Sequence, residues 1–486
     1  MIVPMALAVV AATNPAVCSA APSFAAVAPT RAPARAPVEA FNYDRFGEVH
    51  LYRGRGHIRD VVLFVSGEGG WDSGTASLAQ RLADRGVLVA GIDFPHYRQQ
   101  LEKAAQECVS PAPDFENLSH YLQSTLGLKK YLQPILVGYA SGATLVYATL
   151  AEAPEGLFKS ALSIGFTPEL PLKRALCESP NLHATPRWDA KGVLQGMTLS
   201  PARELPAKWI SLQSSQEPAS SAPALRNFAA GWPGSEVVSL GPVGRDYPIE
   251  ERWMPQFDAA FGRLAASRSE AKVAALPAPV ADLPLIIVPA AAGGLGNWFA
   301  VFLTGDGGWV GLDKGVSAEL AKHGMPIVGW DSLKYFWSRR TPDGASRDLD
   351  RVLHYYSGAW GRSHALLIGY SQGADTRPFM VNRLPAATRE LVAFTTLMGI
   401  SDNALFEFHV ATWLGSPAKG IPTAPELAHW QGSPYLCLYG ESDGDSACAE
   451  LTGHGGSALK MSGGHHFGGG YTQVADAILS RLPATP

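Results

Sequence analysis

At 486 residues the chain exceeds one ordinary domain, so two or three domains are expected. Its 47% apolar and 17% charged content supports large cores and excludes a chain that is disordered throughout. The formal net charge of −4, without clustered basic residues, argues against nucleic acid as a partner. No zinc-type Cys/His spacing occurs, and no metal or other cofactor is expected.

Residues 1–40 open with MIVPMALAVVAATNPAVCSAAPSFAAVAP and are read as a signal peptide or a disordered segment. Small-residue cleavage options lie near Ala20 and Ala25, although no Lys or Arg precedes the apolar run. Pro15-Ala16-Val17 before Cys18 is a poor lipobox, and Asn14 and Pro15 interrupt the run before it could span a bilayer. Export is the expectation. Cys108 and Cys177 then remain in one half and Cys437 and Cys448 in the other, one pair per half, as two disulfides in an oxidising compartment would require. Four buried thiols are the alternative.

The chain repeats itself. VLFVSGEGGW (62–71) matches AVFLTGDGGW (300–309), and at the same offset Leu82, Gly86, Gly91 and Asp93 match Leu320, Gly324, Gly329 and Asp331. LVGYASGA (136–143) matches LIGYSQGA (367–374) at a slightly shorter offset. Each copy runs from an apolar strand-like stretch through a glycine turn and an amphipathic stretch (SLAQRLADRG, GVSAELAKHG) to a second apolar run. That pattern predicts parallel βαβ units. The expected fold is α/β, with two tandem α/β-hydrolase-like domains, each a mostly parallel sheet flanked by helices. The domains are placed at 41–266 and 285–486, with the Ala- and Pro-rich 267–284 as linker.

Only the second copy carries a full set of catalytic groups. Gly369-Tyr370-Ser371-Gln372-Gly373 fits G-x-S-x-G between an apolar run, HALLIGY, and a predicted helix, the context of a nucleophile elbow. The order Ser, acid, His continues in PYLCLYGESDGDSAC and KMSGGHHFGGGY. Asp443 and Asp445 are equal candidates for the acid; His465 is preferred to His466 as the base because it directly follows the glycines. Oxyanion-hole N–H groups are expected from Gln372 and from the GDGG turn near Asp306. In the first copy Ala140 stands where Ser371 stands, WISLQSSQEP has no Gly-x-x-Asp, and VSLGPVGRDYP has no histidine. That copy is expected to be inactive and retained for docking, gating or stability.

TGDGGW, DSLKYFWSRRTP, GYSQGAD and GGHHF together resemble the bacterial AcvB/VirJ virulence-protein family, in its long two-copy form, over about residues 41–484. The resemblance implies a periplasmic serine hydrolase that cleaves the aminoacyl ester of lysyl-phosphatidylglycerol, with an aminoacylated phospholipid as substrate and contact with a membrane surface. On that view Lys334, Arg339 and Arg340 are candidates for the lipid phosphodiester, and Asp306 and Asp375 for the substrate ammonium. Each of these side chains has an ordinary role as well, a solvated basic loop or a helix cap. Phe406, Phe408 and Trp413 are candidates for a lid or acyl-facing surface, with core packing as the commoner fate of aromatics. A general esterase or peptidase, and a non-catalytic scaffold, are the competing functions.

Overall fold

The computed structural model describes residues 39–216, 221–232, 234–243, 252–267, 276–291, 294–408, 420–444, 446–450 and 456–483. Residues 1–38 of the N-terminal segment expected to direct export, Asp445 and Trp413 lie outside them.

The apolar runs of the first copy form an eight-stranded sheet. Its strands are β1 (Glu39–Tyr43), β2 (Gly47–Arg53), β3 (Asp60–Val65), β4 (Val87–Ile92), β5 (Ile135–Tyr139), β6 (Ser160–Ile164), β7 (Lys208–Gln213) and β8 (Ser235–Ser239). They lie side by side as β1-β2-β4-β3-β5-β6-β7-β8, antiparallel from β1 to β4 and parallel from there on. The second copy builds β9 (Leu285–Val288), β10 (Trp298–Leu303), β11 (Ile327–Trp330), β12 (His364–Tyr370), β13 (Val392–Met398), β14 (Tyr435–Gly440) and β15 (Gly456–Met461). Their order, β9-β11-β10-β12-β13-β14-β15, repeats that of the first sheet without its outermost strand. Only β9 runs antiparallel.

Both faces of each sheet are covered, so the central strands are apolar at every position rather than at alternate ones. VVLFV of β3 and WFAVFL of β10 are buried throughout. The flanking helices include α1 (Ser73–Ala83), α2 (Pro111–Thr125), α3 (Ser141–Glu152), α4 (Gly311–Lys322), α5 (Pro342–Trp360), α6 (Gln372–Asn382) and α7 (Tyr471–Leu479). Asp72 starts α1 with a capping box through Thr75, and Thr341 caps α5.

The repeated residues hold one local structure in both copies. Gly70 and Gly308 take φ of 82° and 81°, in the left-handed region that favours glycine. The tryptophans that follow pack against a glycine of the next strand: a Cβ at Gly91 would meet the Trp71 ring at 2.3 Å, and one at Gly329 would meet the Trp309 ring at 2.3 Å. Asp93 accepts from the backbone N–H of Trp71 (2.9 Å) and of His96 (2.8 Å), tying the glycine turn to the next helix. Asp331 caps its own helix through the N–H of Lys334 (3.0 Å).

The expected linker is only partly a linker. Residues 276–284 belong structurally to the second copy, because Val280 and Leu283 are buried in its core and Arg351 of α5 donates to the carbonyl of Pro279 (2.7 Å) and pairs with Asp282. The two copies also touch directly. Trp337 Nε1 donates to the carbonyl of Leu128 (2.5 Å), its ring lies 5.2 Å from that of Tyr131, and Lys314 pairs with Glu155 at 2.9 Å. Phe406 and Phe408 are buried: Phe406 packs in the second core and Phe408 stacks on Trp337.

Two disulfides are present, Cys108–Cys177 and Cys437–Cys448, one in each copy. Loop-closure entropy gives removal of the first, which spans 69 residues, a cost of about 4 kcal/mol, and of the second, spanning 11, about 3 kcal/mol. The short loop carries Asp443, so paired Cys→Ala replacement at 437 and 448 is expected to lower activity as well as thermal stability. The pair at 108 and 177 is expected to lower stability first. Parallel melting curves and ester assays on the two double variants check this.

Candidate active site

The turn between β12 and α6 places Ser371 at φ 50° and ψ −120°, a conformation that is strained for any residue with a Cβ. The flanking glycines allow it. A Cβ at Gly373 would lie 2.2 Å from the carbonyl oxygen of Leu303, and one at Gly369 would lie 2.5 Å from that of Gly373. Helix and strand can therefore approach closely, and Ser371 stands at the carboxyl end of the sheet. Gln372 opens α6, in the first turn, where backbone N–H groups have no partner within the helix.

Across β13, the loop after β14 carries Asp443 and the loop after β15 carries His465. His465 Nδ1 lies 3.0 Å from Asp443 Oδ2, and the Asp443 side chain is only 5% exposed. This leaves Nε2 of His465 as the ring nitrogen available to another group. His466 has a different partner: its Nδ1 is 2.7 Å from the hydroxyl of Tyr370, which also donates to the His465 carbonyl at 3.3 Å. Burial, and next the neighbouring His465, lower the pKa of His466. Burial raises that of Tyr370, keeping its hydroxyl protonated as a donor.

A cavity of about 1420 Å³ is lined by Ser371, His465, His466, Tyr370 and the turn Gly305–Gly308 that contains Asp306. The backbone of that turn crowds the elbow, since a Cβ at Gly305 would come within 3.4 Å of the Cβ of Ser371. Asp313, buried at the start of α4, lines the same cavity, and burial raises its pKa.

Three residues expected to bind substrate stand elsewhere. Lys334 Nζ is engaged by Asp331 at 2.6 Å. Arg340 lies over the Tyr335 ring, 4.5 Å from its centroid, and donates from Nε to the Tyr335 carbonyl. Asp375 is buried and accepts from the backbone N–H of Ser401 at 2.7 Å. None of them, nor Arg339, lines the cavity that holds Ser371. Local ion pairing, ring stacking and helix packing engage these side chains.

Other contributors have no sequence motif of their own. Gly399, directly after β13, has φ 60°, and a Cβ there would meet His465 Cε1 at 2.8 Å and Asp443 Oδ2 at 3.6 Å. Gly399→Ala is expected to keep the fold at a cost of roughly 1–2 kcal/mol in backbone strain, and to displace the histidine. A fall in kcat with an unchanged circular dichroism spectrum is the result expected.

The first copy keeps the frame of this site without its groups. Ala140 adopts φ 49° and ψ −118°, nearly the values of Ser371, and Gly142 approaches the carbonyl oxygens of Ser66 and Val65 as Gly373 approaches those of Thr304 and Leu303. Gly165 takes φ 68° after β6, as Gly399 does after β13. Ser141 donates to Glu68 at 2.7 Å, so the hydroxyl beside the elbow is held by the first copy's own glycine turn.

Strand order, crossover helices and a strained residue at the strand-to-helix turn place both copies in the α/β-hydrolase fold class. The chain belongs to the VirJ family of bacterial virulence proteins, whose sequence profile matches residues 59–164 and 297–485. No curated protein matches the sequence significantly. Among solved structures, Est1E from Butyrivibrio proteoclasticus is similar at 11% identity, covering 40% of this chain and 91% of its own, with a TM-score of 0.31. Naproxen esterase from Bacillus subtilis is similar at 13% identity, covering 40% and 86%, with a TM-score of 0.29. A soluble variant of monoglyceride lipase from Saccharomyces cerevisiae is similar at 10% identity, covering 49% and 98%, with a TM-score of 0.31.

Proposed function

We propose that the protein is a serine hydrolase of the periplasm that cleaves the aminoacyl ester of lysyl-phosphatidylglycerol. The observation that carries the reading is the single cavity shared by Ser371, in its strained turn, and by His465, paired to Asp443. The two disulfides support an oxidising compartment.

In the proposed mechanism Ser371 Oγ attacks the ester carbonyl while His465 Nε2 takes its proton. Asp443, bonded to Nδ1, fixes the tautomer and stabilises the imidazolium. The backbone N–H groups of Gln372 and Asp306 receive the oxyanion. His465 returns the proton to the glycerol oxygen, which leaves as phosphatidylglycerol. A water, deprotonated by the same imidazole, then releases lysine from Ser371. The diacyl part of such a substrate stays in the bilayer, so the enzyme works as a peripheral protein at a membrane surface. Among the described residues no helix is long and apolar enough to cross a membrane.

The test is lipid analysis after incubating the full chain with vesicles containing lysyl-phosphatidylglycerol. Phosphatidylglycerol and free lysine are the expected products. Intact lysyl-phosphatidylglycerol beside rapid cleavage of simple esters would replace this substrate with a general-esterase reading.

A further inference from the structure

The cavity that holds Ser371 is not built by the second copy alone. One wall comes from the first copy, from α2, the end of α3 and the loop that follows it. Glu116 of α2 is the residue that reaches across. Its Oε1 would lie 3.6 Å from a Cβ placed at Gly307, inside the Gly305–Gly308 turn, so its carboxylate faces the backbone beside the elbow. Glu116 is half-buried, and among the described residues it makes no hydrogen bond or ion pair. The nearby lysines are held by other carboxylates: Lys314 by Glu155, and Lys159 by Asp60. Burial, and then Asp306, push the pKa of Glu116 up to about 8, and no cation lies close enough to offset them: Arg203 and Lys208 line the same cavity but do not contribute to the shift.

A carboxylate taken from water without a partner is costly, and a bound cation relieves that cost. We propose that Glu116, supplied by the degenerate first copy, holds an ammonium group of the substrate's aminoacyl part in the cavity that contains Ser371 and His465. The first copy thus sets substrate choice, and Glu116 is a specificity-determining residue. This rests on the reading of Ser371 as the nucleophile of an aminoacyl-ester hydrolase and adds the group that recognises the amine. The first copy, which has lost its own chemistry, then has a use as the far wall of its neighbour's pocket.

The test uses the full chain with three methyl esters of one carbon skeleton: lysine, norleucine and hexanoate, which carry two, one and no ammonium groups. Glu116→Gln keeps the shape and removes the charge. It is expected to lower kcat/KM for lysine ester by roughly 10- to 100-fold, the size expected of a charge-assisted contact, and to leave hexanoate ester unchanged. Comparison of lysine with norleucine reports which ammonium is held. Glu116→Asp should restore part of the preference, which a purely structural role would not predict. Equal losses on all three esters, or no loss on any, would overturn the proposal. Calorimetric binding of lysinamide to Ser371→Ala, with and without Glu116→Gln, reads the contact apart from turnover. Weaker binding in the double variant supports Glu116 even if lysyl-phosphatidylglycerol proves not to be the substrate; equal binding overturns it.

Discussion

Ser371→Ala is expected to abolish ester hydrolysis, lowering kcat by roughly 10³-fold or more, while the protein keeps its melting temperature. The loss is large because the hydroxyl is the attacking atom, and water reaching the same cavity is not held in its position. The fold survives because the turn does not depend on the hydroxyl. Ala140 holds the same φ and ψ in the first copy, with an alanine at the tip of the elbow. The first copy also supplies the reverse experiment. Ala140→Ser would place a hydroxyl in the right backbone conformation, yet activity is expected to remain at background in Ser371→Ala/Ala140→Ser. Within the first copy no histidine follows β8 among the described residues, and Gln213 ends the strand that corresponds to β14. A fluorophosphonate probe should label the parent chain once, at Ser371, and the alanine variant not at all. Undiminished turnover in Ser371→Ala would place the nucleophile elsewhere.

The parts of this site that can be read along the chain are those made by neighbours in sequence. A strand, a glycine, a serine, a glycine and a helix are contiguous, so the elbow shows itself in HALLIGYSQGAD. The tandem layout shows itself because the same glycine, tryptophan and aspartate positions meet the same packing demand twice. The choice between His465 and His466 depends on their partners, Asp443 for the first and the Tyr370 hydroxyl for the second. Asp443 is set by the register of β14 against β15, which brings the two loops together, and no local pattern reports that register. The pairing of Lys334 with Asp331 and of Arg340 with the Tyr335 ring is likewise set by the fold around the short helix after β11, not by a motif. Glu116 lies far from every motif in sequence and becomes visible only when the two copies are placed side by side.

The second large effect is on stability against pH, and its sign is unusual for a protein with so many carboxylates. Burial raises the pKa of Glu116, Glu152 and Asp375 to about 8, and it raises those of Asp313 and Asp114 as well. In the unfolded chain the same groups titrate near 4. Between those limits the native state binds more protons than the unfolded state, so stability falls as pH rises. Their contribution is complete below about pH 4 and is lost as pH passes through about 8, at up to about 1.4 kcal/mol per pH unit for each group. His466, whose pKa burial also lowers, opposes them, and so does His120. Burial lowers its pKa to about 3, so its contribution is complete above about 6.5 and is lost as pH falls through the range below. Asp258 and Asp282, held below their usual range with Arg81, Arg85 and Arg351 beside them, add stability that is lost only near pH 4 and lower. From pH 8 to 6.5 the raised carboxyls act without opposition from either histidine, and from 6.5 to 5 they outnumber the two. The thermal midpoint is therefore expected to rise as the buffer is taken from pH 8 to pH 5. Asp375→Asn keeps the carbonyl oxygen that accepts from Ser401 while removing the titration, so it should lose little at pH 5, gain relative stability at pH 8, and flatten the profile. A midpoint that climbs toward pH 8 in the parent chain would mean that these buried carboxyls are ionised in the folded protein.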